Sequence, residues 1–128
     1  MRTHHRSASP FEESIGFSRA VRVGNRILVA GTAPIAPDGT TLEGGPYEQA
    51  RRCFEIIVEA IEGLGGSAAD VVRTRMYLVN TEDWEEVGRA HGDFFRGVNP
   101  ASTMLAVGQL LDPKWRVEIE AEAWLDEA

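Results

Sequence analysis

Residues 117–123 read VEIEAEA, in which aliphatic side chains and carboxylates alternate at every second position. Because successive side chains of a strand point to opposite faces, this segment predicts a β-strand with one face in a core and three acids on the other. Residues 99–107 read NPASTMLAV and run from a proline turn into a second extended, apolar segment. The two segments predict two strands at the C-terminal end of the fold.

The composition is that of one folded domain, with 128 residues, 43% hydrophobic and 26% charged. The net charge of −7 argues against nucleic acid as a partner, because such binding begins with a basic surface that neutralises phosphates. The single cysteine suits a reducing cytoplasm, and no apolar run is long enough to cross a membrane. His4 and His5 lack a third ligand, so neither a metal nor a cofactor is expected.

Turn and helix signals organise the rest of the chain. Gly24-Asn25 predicts a β-hairpin, Pro46 begins a helix that ends at Gly65-Gly66, and Asn80-Thr81 begins a second helix that ends at Gly97. With a strand over residues 71–79, the predicted order is β-β-α-β-α-β-β, an α+β fold with two helices on one face of a single sheet. Residues 1–13 are predicted to form a flexible arm and residues 14–128 a single domain.

The sheet is expected to keep one face free of helices. Strict alternation along residues 71–79 assigns to that face Val71, Arg73, Arg75, Tyr77 and Val79. Two helices with one apolar stripe each cover only one side of a sheet. The other side is therefore either solvated or buried in an oligomer.

An ordered set of short motifs resembles the Rid family, the reactive intermediate deaminases also called YjgF-type proteins. The resemblance covers about residues 15–123 and includes Ile15-Gly16, Val23-Gly24-Asn25, the segment AGTAP at 30–34, Pro100-Ala101 and VEIEA at 117–121. It implies a chorismate-mutase-like fold and a homotrimer. It also implies that a small-molecule ligand binds in clefts between subunits.

The resemblance also assigns roles to single positions. In deaminating members an arginine after Pro-Ala grips the substrate carboxylate, a cleft glutamate helps with the attacking water, and a tyrosine on the first strand assists. The glutamate matches Glu118, whereas the arginine position holds Ser102 and the tyrosine position holds Ser18. Ordinary 2-imino acid deamination is therefore not expected. The implied ligand-binding wall consists of Ser18, Gly31, Thr32, Arg75, Ser102 and Thr103.

Each candidate also has a purely structural explanation. Glu118 is either a cleft carboxylate or one of three solvated acids, together with Glu120 and Glu122. Arg75 either supplies a cation to a ligand or forms a salt bridge, and we favour the salt bridge. His91 is expected to pack or to donate to a carbonyl rather than to act as a base. No hydroxyl has a recognisable His/Asp relay, which argues against a nucleophilic serine.

Three functions follow from these observations. The first is a hydrolase or deaminase-like enzyme that acts on an imine, an enamine or a related carbonyl compound, with Glu118 handling water. The second is a non-catalytic trimer that binds a small metabolite in the same clefts. The third is an endoribonuclease, which the acidic charge makes the weakest of the three.

Overall fold

The structure is a computed structural model and describes residues 1–126, so the last two residues of the predicted domain lie outside it. Its six strands are numbered in chain order, and so are its three α-helices. The strands are β1 (Arg2–His5), β2 (Ala20–Val23), β3 (Arg26–Thr32), β4 (Val71–Leu78), β5 (Ala101–Ala106) and β6 (Val117–Trp124). The helices are α1 (Phe11–Ile15), α2 (Pro46–Gly63) and α3 (Trp84–Phe95), with 3-10 turns at Ala68–Asp70 and Thr81–Asp83.

One mixed sheet organises the molecule, in the order β1-β2-β3-β6-β4-β5. Strand β5 runs parallel to β4, and every other neighbouring pair is antiparallel. Helices α2 and α3 pack against each other on one face, as predicted, and α2 also contacts β3 and β6. The α+β prediction with one helix-covered sheet face is thereby confirmed. None of the helices within residues 1–126 is long and apolar enough to span a bilayer.

Helix α2 supplies the centre of the core. Pro46 begins it without losing a hydrogen bond, and the Gly45 N–H donates to Glu48 Oε1 over 2.9 Å, which satisfies one free N–H of the first turn. Its apolar side faces the strands, and each fully buried side chain of this size contributes about 1.5–3 kcal/mol. The buried members include Cys53, Phe54, Ile57 and Ile61 of α2, Ile27 and Val29 of β3, and Val117 and Ile119 of β6.

The N-terminal segment departs from the prediction of a flexible arm over residues 1–13. Residues Arg2–His5 form the edge strand β1, whose register pairs Arg2 with Val23 and His5 with Ala20 of β2. An edge strand is stabilised through its backbone ladder, so a polar segment without apolar alternation can still be a strand. Phe11 of α1 also packs edge-on against Trp115, with ring centroids 6.0 Å apart. The observed order is therefore β-α-β-β-α-β-α-β-β.

A bulge at the start of β4 overturns one face assignment. Val71 pairs with Ala123 of β6 whereas Arg73 pairs with Glu122, so two steps on β4 match one step on β6. A bulge inserts one residue into the alternation and turns the side chains before it to the other face. Val71 is accordingly buried, with 3% of its surface exposed, whereas Val72 is 45% exposed. The prediction that Val71 lies on the helix-free face was wrong.

Candidate functional site

Glu118 lies on the helix-free face of β6, where the close approach of a glycine makes room for it. Strand β3 has an irregularity between Val29 and Thr32, and Gly31 lies within it. A Cβ atom added at Gly31 would collide with Glu118 Oε2. Glycine at this position therefore lets the carboxylate lie directly against the β3 backbone.

An open cavity of about 360 Å³ adjoins this carboxylate. Most of its wall is apolar and comes from Phe11, Ile15, Phe17, Leu111 and Trp115. Glu118 and Arg19 are the charged residues that line it. A cavity with an apolar wall and a few convergent polar groups is typical of a small-molecule site.

Burial and two neighbouring charges set the pKa of the Glu118 carboxyl. Burial raises the pKa of its carboxyl above the ordinary value, Arg19 opposes the rise by favouring the charged form, and Glu120 adds to it by repulsion. A carboxyl that gives up its proton closer to neutral pH can both accept and return a proton during catalysis. Of the three acids on this face of β6, Glu118 is the one that lines the cavity.

Arg19 also lines the cavity, although no sequence signal had singled it out. Arg19 is 2% exposed. Its guanidinium donates from Nε to Glu12 Oε2 over 3.2 Å and from Nη1 to the Gly31 carbonyl over 2.6 Å. Nη1 also lies 3.1 Å from Thr32 Oγ1, which itself donates to the Ala30 carbonyl over 2.7 Å. The Thr32 hydroxyl is thus used inside the protein. The hydrogen bond from Arg19 to the Gly31 carbonyl therefore holds the β3 backbone in place beside Glu118.

The remaining predicted residues lie away from this cavity. The Ser18 hydroxyl is 2.9 Å from His4 Nδ1, while its neighbours Phe17 and Arg19 line the cavity. Arg75 bridges two acids of β6 at 3.4 Å each, Glu120 and Glu122. The favoured salt-bridge interpretation of Arg75 therefore agrees with the structure.

Glu120 belongs to a separate network on the helix-free face. The Tyr77 hydroxyl donates to Glu120 Oε1 over 2.7 Å, in addition to the contact from Arg75. This hydrogen bond, with burial and the acid's charge, raises the pKa of Tyr77. Thr103 is exposed. It lies on the same face as Arg75, because Arg75 is its register partner on β4.

Ser102 lies on the opposite, helix-covered face. Its register partner is Thr74, whose Oγ1 lies 2.8 Å from Ser102 Oγ and 2.8 Å from His91 Nε2. Ser102 is thus joined to His91 through Thr74, a connection that the sequence did not reveal. Glu118 and Ser102 point to opposite sides of one sheet, so a single chain does not bring them into one cavity.

Comparison with known proteins agrees with this architecture. Residues 8–125 match the protein family described as Endoribonuclease L-PSP. A Streptomyces coelicolor protein, SCO2049, is 44% identical over 118 residues, which cover 92% of this chain and 88% of that protein. The chain belongs to the Rid (YjgF) family.

A crystal structure from Mycobacterium tuberculosis, described as a member of the YjgF/YER057c/UK114 family, is similar to this Rid chain throughout. It superposes with a TM-score of 0.89 at 38% identity and covers 98% of this chain and 100% of its own. A mouse relative named 2-iminobutanoate/2-iminopropanoate deaminase is 31% identical over 109 residues, which cover 84% of this chain and 79% of that protein. The identification made from the short motifs is confirmed.

Proposed function

We propose that this Rid chain hydrolyses a small imine, enamine or related carbonyl compound, with Glu118 as the general acid and base. The observation that supports it most is the position of the Glu118 carboxyl, which lies against Gly31 at a largely apolar cavity. Burial there raises the pKa of this carboxyl. The mouse relative's name indicates imine chemistry in the family. The proposed substrate class and the role of Glu118 in this chain rest on the geometry of the cavity.

The proposed reaction needs only water. Ionised Glu118 removes a proton from water as the oxygen attacks the C=N carbon, and the π electrons move to nitrogen. Protonated Glu118 then gives the proton to nitrogen. Glu118 then takes the hydroxyl proton of the carbinolamine and passes it to nitrogen, so that the C–N bond breaks, a carbonyl compound forms and ammonia leaves. Water and Glu118 supply every proton that this step moves.

The substrate is proposed to be uncharged. The position that holds the carboxylate-binding arginine in deaminating relatives is Ser102 here, by the motif resemblance. Arg19, the cation at the cavity, is already neutralised by Glu12 at 3.2 Å. A substrate carboxylate could pair with Arg19 only by displacing Glu12. The Glu12 carboxylate would then be buried without a partner, and this costs more free energy than the new contact contributes. A neutral imine faces no such competition.

Paired imine assays test this proposal. Neutral imines are generated in situ from primary amines with an amine oxidase, and 2-iminopropanoate is generated from alanine with an amino-acid oxidase. We expect accelerated ammonia release with the neutral imine and little acceleration with 2-iminopropanoate. Rapid hydrolysis of 2-iminopropanoate would show that the arginine is dispensable and would overturn the choice of substrate.

The matched variants for this assay lie on one strand. Glu118→Gln removes the titrating group and is expected to lower the rate ~100-fold or more. Glu122→Gln changes a carboxylate on the same face of β6 that contacts Arg26 and Arg75 outside the cavity, and we expect it to keep the wild-type rate. Unchanged rates in Glu118→Gln would favour the alternative, a non-catalytic module that binds a small metabolite.

We further propose a homotrimer, because the helix-free face exposes apolar side chains that a partner subunit would cover. Leu28, Val72, Leu105 and Trp124 are each at least 41% exposed, next to the Arg75–Glu120–Tyr77 network. A monomeric mass in solution would contradict this assembly.

The cytoplasmic location, the absence of a membrane or nucleic-acid partner and the weaker endoribonuclease alternative stay predictions. Cleavage of RNA that persists in Glu118→Gln would point away from this cavity.

A further inference from the structure

A chain of three polar side chains crosses from the interior of the fold to the edge of the sheet. His91 on α3, Thr74 on β4 and Ser102 on β5 are linked by two contacts of 2.8 Å, each within ordinary hydrogen-bond distance. Thr74 has no exposed surface, His91 is half-buried, and Ser102 is exposed. The chain therefore connects a sheltered imidazole to a hydroxyl that faces outward.

The tautomer of His91 decides the direction of this chain. Each hydroxyl has one proton, so Thr74 cannot donate to both neighbours at once. When His91 Nε2 carries the proton, it donates to Thr74, and Thr74 donates to Ser102. When Nδ1 carries it, Nε2 accepts from Thr74, and Thr74 accepts from Ser102. Exchange of the imidazole proton from Nε2 to Nδ1 through solvent, together with rotation of the two hydroxyls, converts one arrangement into the other. With Nδ1 protonated, Nε2 is free to accept a proton that leaves Ser102 by way of Thr74.

The imidazole is held in place by aromatic neighbours. Its ring lies 5.5 Å from Phe54 and 5.0 Å from Phe95, between centroids, in edge-on and tilted contacts. Burial lowers the pKa of His91, which leaves the ring neutral and able to accept a proton at neutral pH. Aromatic packing accounts for the position of the His91 ring. It does not account for the two contacts that link this ring, through buried Thr74, to exposed Ser102.

We infer that Ser102 is a nucleophile towards small acyl esters, with Thr74 and His91 as the positioning residues that take its proton. Ser102 Oγ forms a bond to the ester carbonyl carbon, its proton moves to Thr74 Oγ1, and the Thr74 proton moves to His91 Nε2. The bond to the leaving alkoxide breaks, and the alkoxide takes a proton back through Thr74. Water then releases the carboxylic acid by the same path.

The edge position of β5 suits this chemistry. Within residues 1–126, strand β5 pairs with β4 alone, so the N–H groups on its outer side have no strand partner there. Backbone N–H groups beside a nucleophile are the usual donors to a developing oxyanion. Within one chain Glu118 lies on the other face of the sheet from Ser102. The ester reaction uses Ser102, Thr74 and His91 and not Glu118, so its test can fail independently of the proposed imine hydrolysis.

Diisopropyl fluorophosphate tests the inference directly. The serine oxygen displaces fluoride from phosphorus, and the proton follows the same path to His91. We expect one stable adduct per chain, located on Ser102 by peptide mass spectrometry, and none in Ser102→Ala. Ser14, whose hydroxyl contacts only the carbonyls of Pro10 and Phe11, serves as an internal reference and should stay unmodified. Absence of an adduct on Ser102 would overturn the inference.

Two Thr74 variants separate a relay from simple packing. Thr74→Val keeps the shape and removes the hydroxyl, and we expect the labelling rate to fall ~100-fold. Thr74→Ser keeps a hydroxyl in a smaller side chain, and we expect it to restore most of the rate although it packs less well. Thermal unfolding confirms that each variant is folded. Equal labelling rates in Thr74→Val and wild type would refute the relay, as would failure of Thr74→Ser to recover the rate.

Discussion

Gly31→Ala perturbs the proposed site through one added methyl group. That methyl would collide with Glu118 Oε2, while the backbone at Gly31 has no positive φ that would strain an alanine. To restore an ordinary van der Waals separation, the carboxylate must retreat by roughly 1 Å. A misplacement of about 1 Å at a reacting group can cost ~100-fold in rate. We therefore expect a loss of that order.

The same variant should remain well folded. The colliding atom is the end of a side chain with three rotatable bonds that adjoins an open cavity, so it can move without displacing backbone. We expect the free energy of unfolding to change by less than about 1 kcal/mol, at the low end of the cost of an overpacked site. Neutral-imine hydrolysis and urea unfolding measure the two quantities on one preparation.

Two controls complete this experiment. Gly108→Ala adds a methyl that meets no atom within 4 Å, so its rate should equal that of the wild type. The double variant Gly31→Ala/Glu118→Gln should be no slower than Glu118→Gln alone, because both changes act on one carboxyl. A Gly31→Ala enzyme with the rate of Gly108→Ala would refute the placement of Glu118 as the reacting group.

Two further predictions concern stability. Because burial raises the pKa of Glu118 in the folded state, the folded chain holds that proton more tightly than the unfolded chain. Its contribution to stability is therefore present at low pH and is lost as the pH rises from the ordinary value of 4.5 through the raised one. Glu118→Gln should gain stability relative to wild type across that window in urea unfolding, and a constant difference would contradict the burial argument. At the β4 bulge, Val71→Ala should cost about 1–3 kcal/mol and Val72→Ala less than about 0.5 kcal/mol. Equal costs in thermal or urea unfolding would show that the bulge is misplaced.

The sequence predicted the elements whose signals are local. Alternation in residues 117–123 predicted β6 with its acids on one face, and Pro46 predicted the start of α2. The motif order predicted the family and the helix-covered sheet, because these depend on residues that are neighbours in the chain. Strand β1 was missed, since an edge strand held by its backbone needs no side-chain pattern.

The tertiary structure decided which residues meet. Glu118 owes its cavity to Gly31, which is 87 positions away in the chain, and Arg19 pairs with Glu12 from a segment that shows no pattern. The bulge at Val71 reverses a face that strict alternation predicts. The two contacts that link His91, Thr74 and Ser102 join a helix to two strands. Chain periodicity determines which face a side chain occupies, but packing alone determines what lies opposite that face.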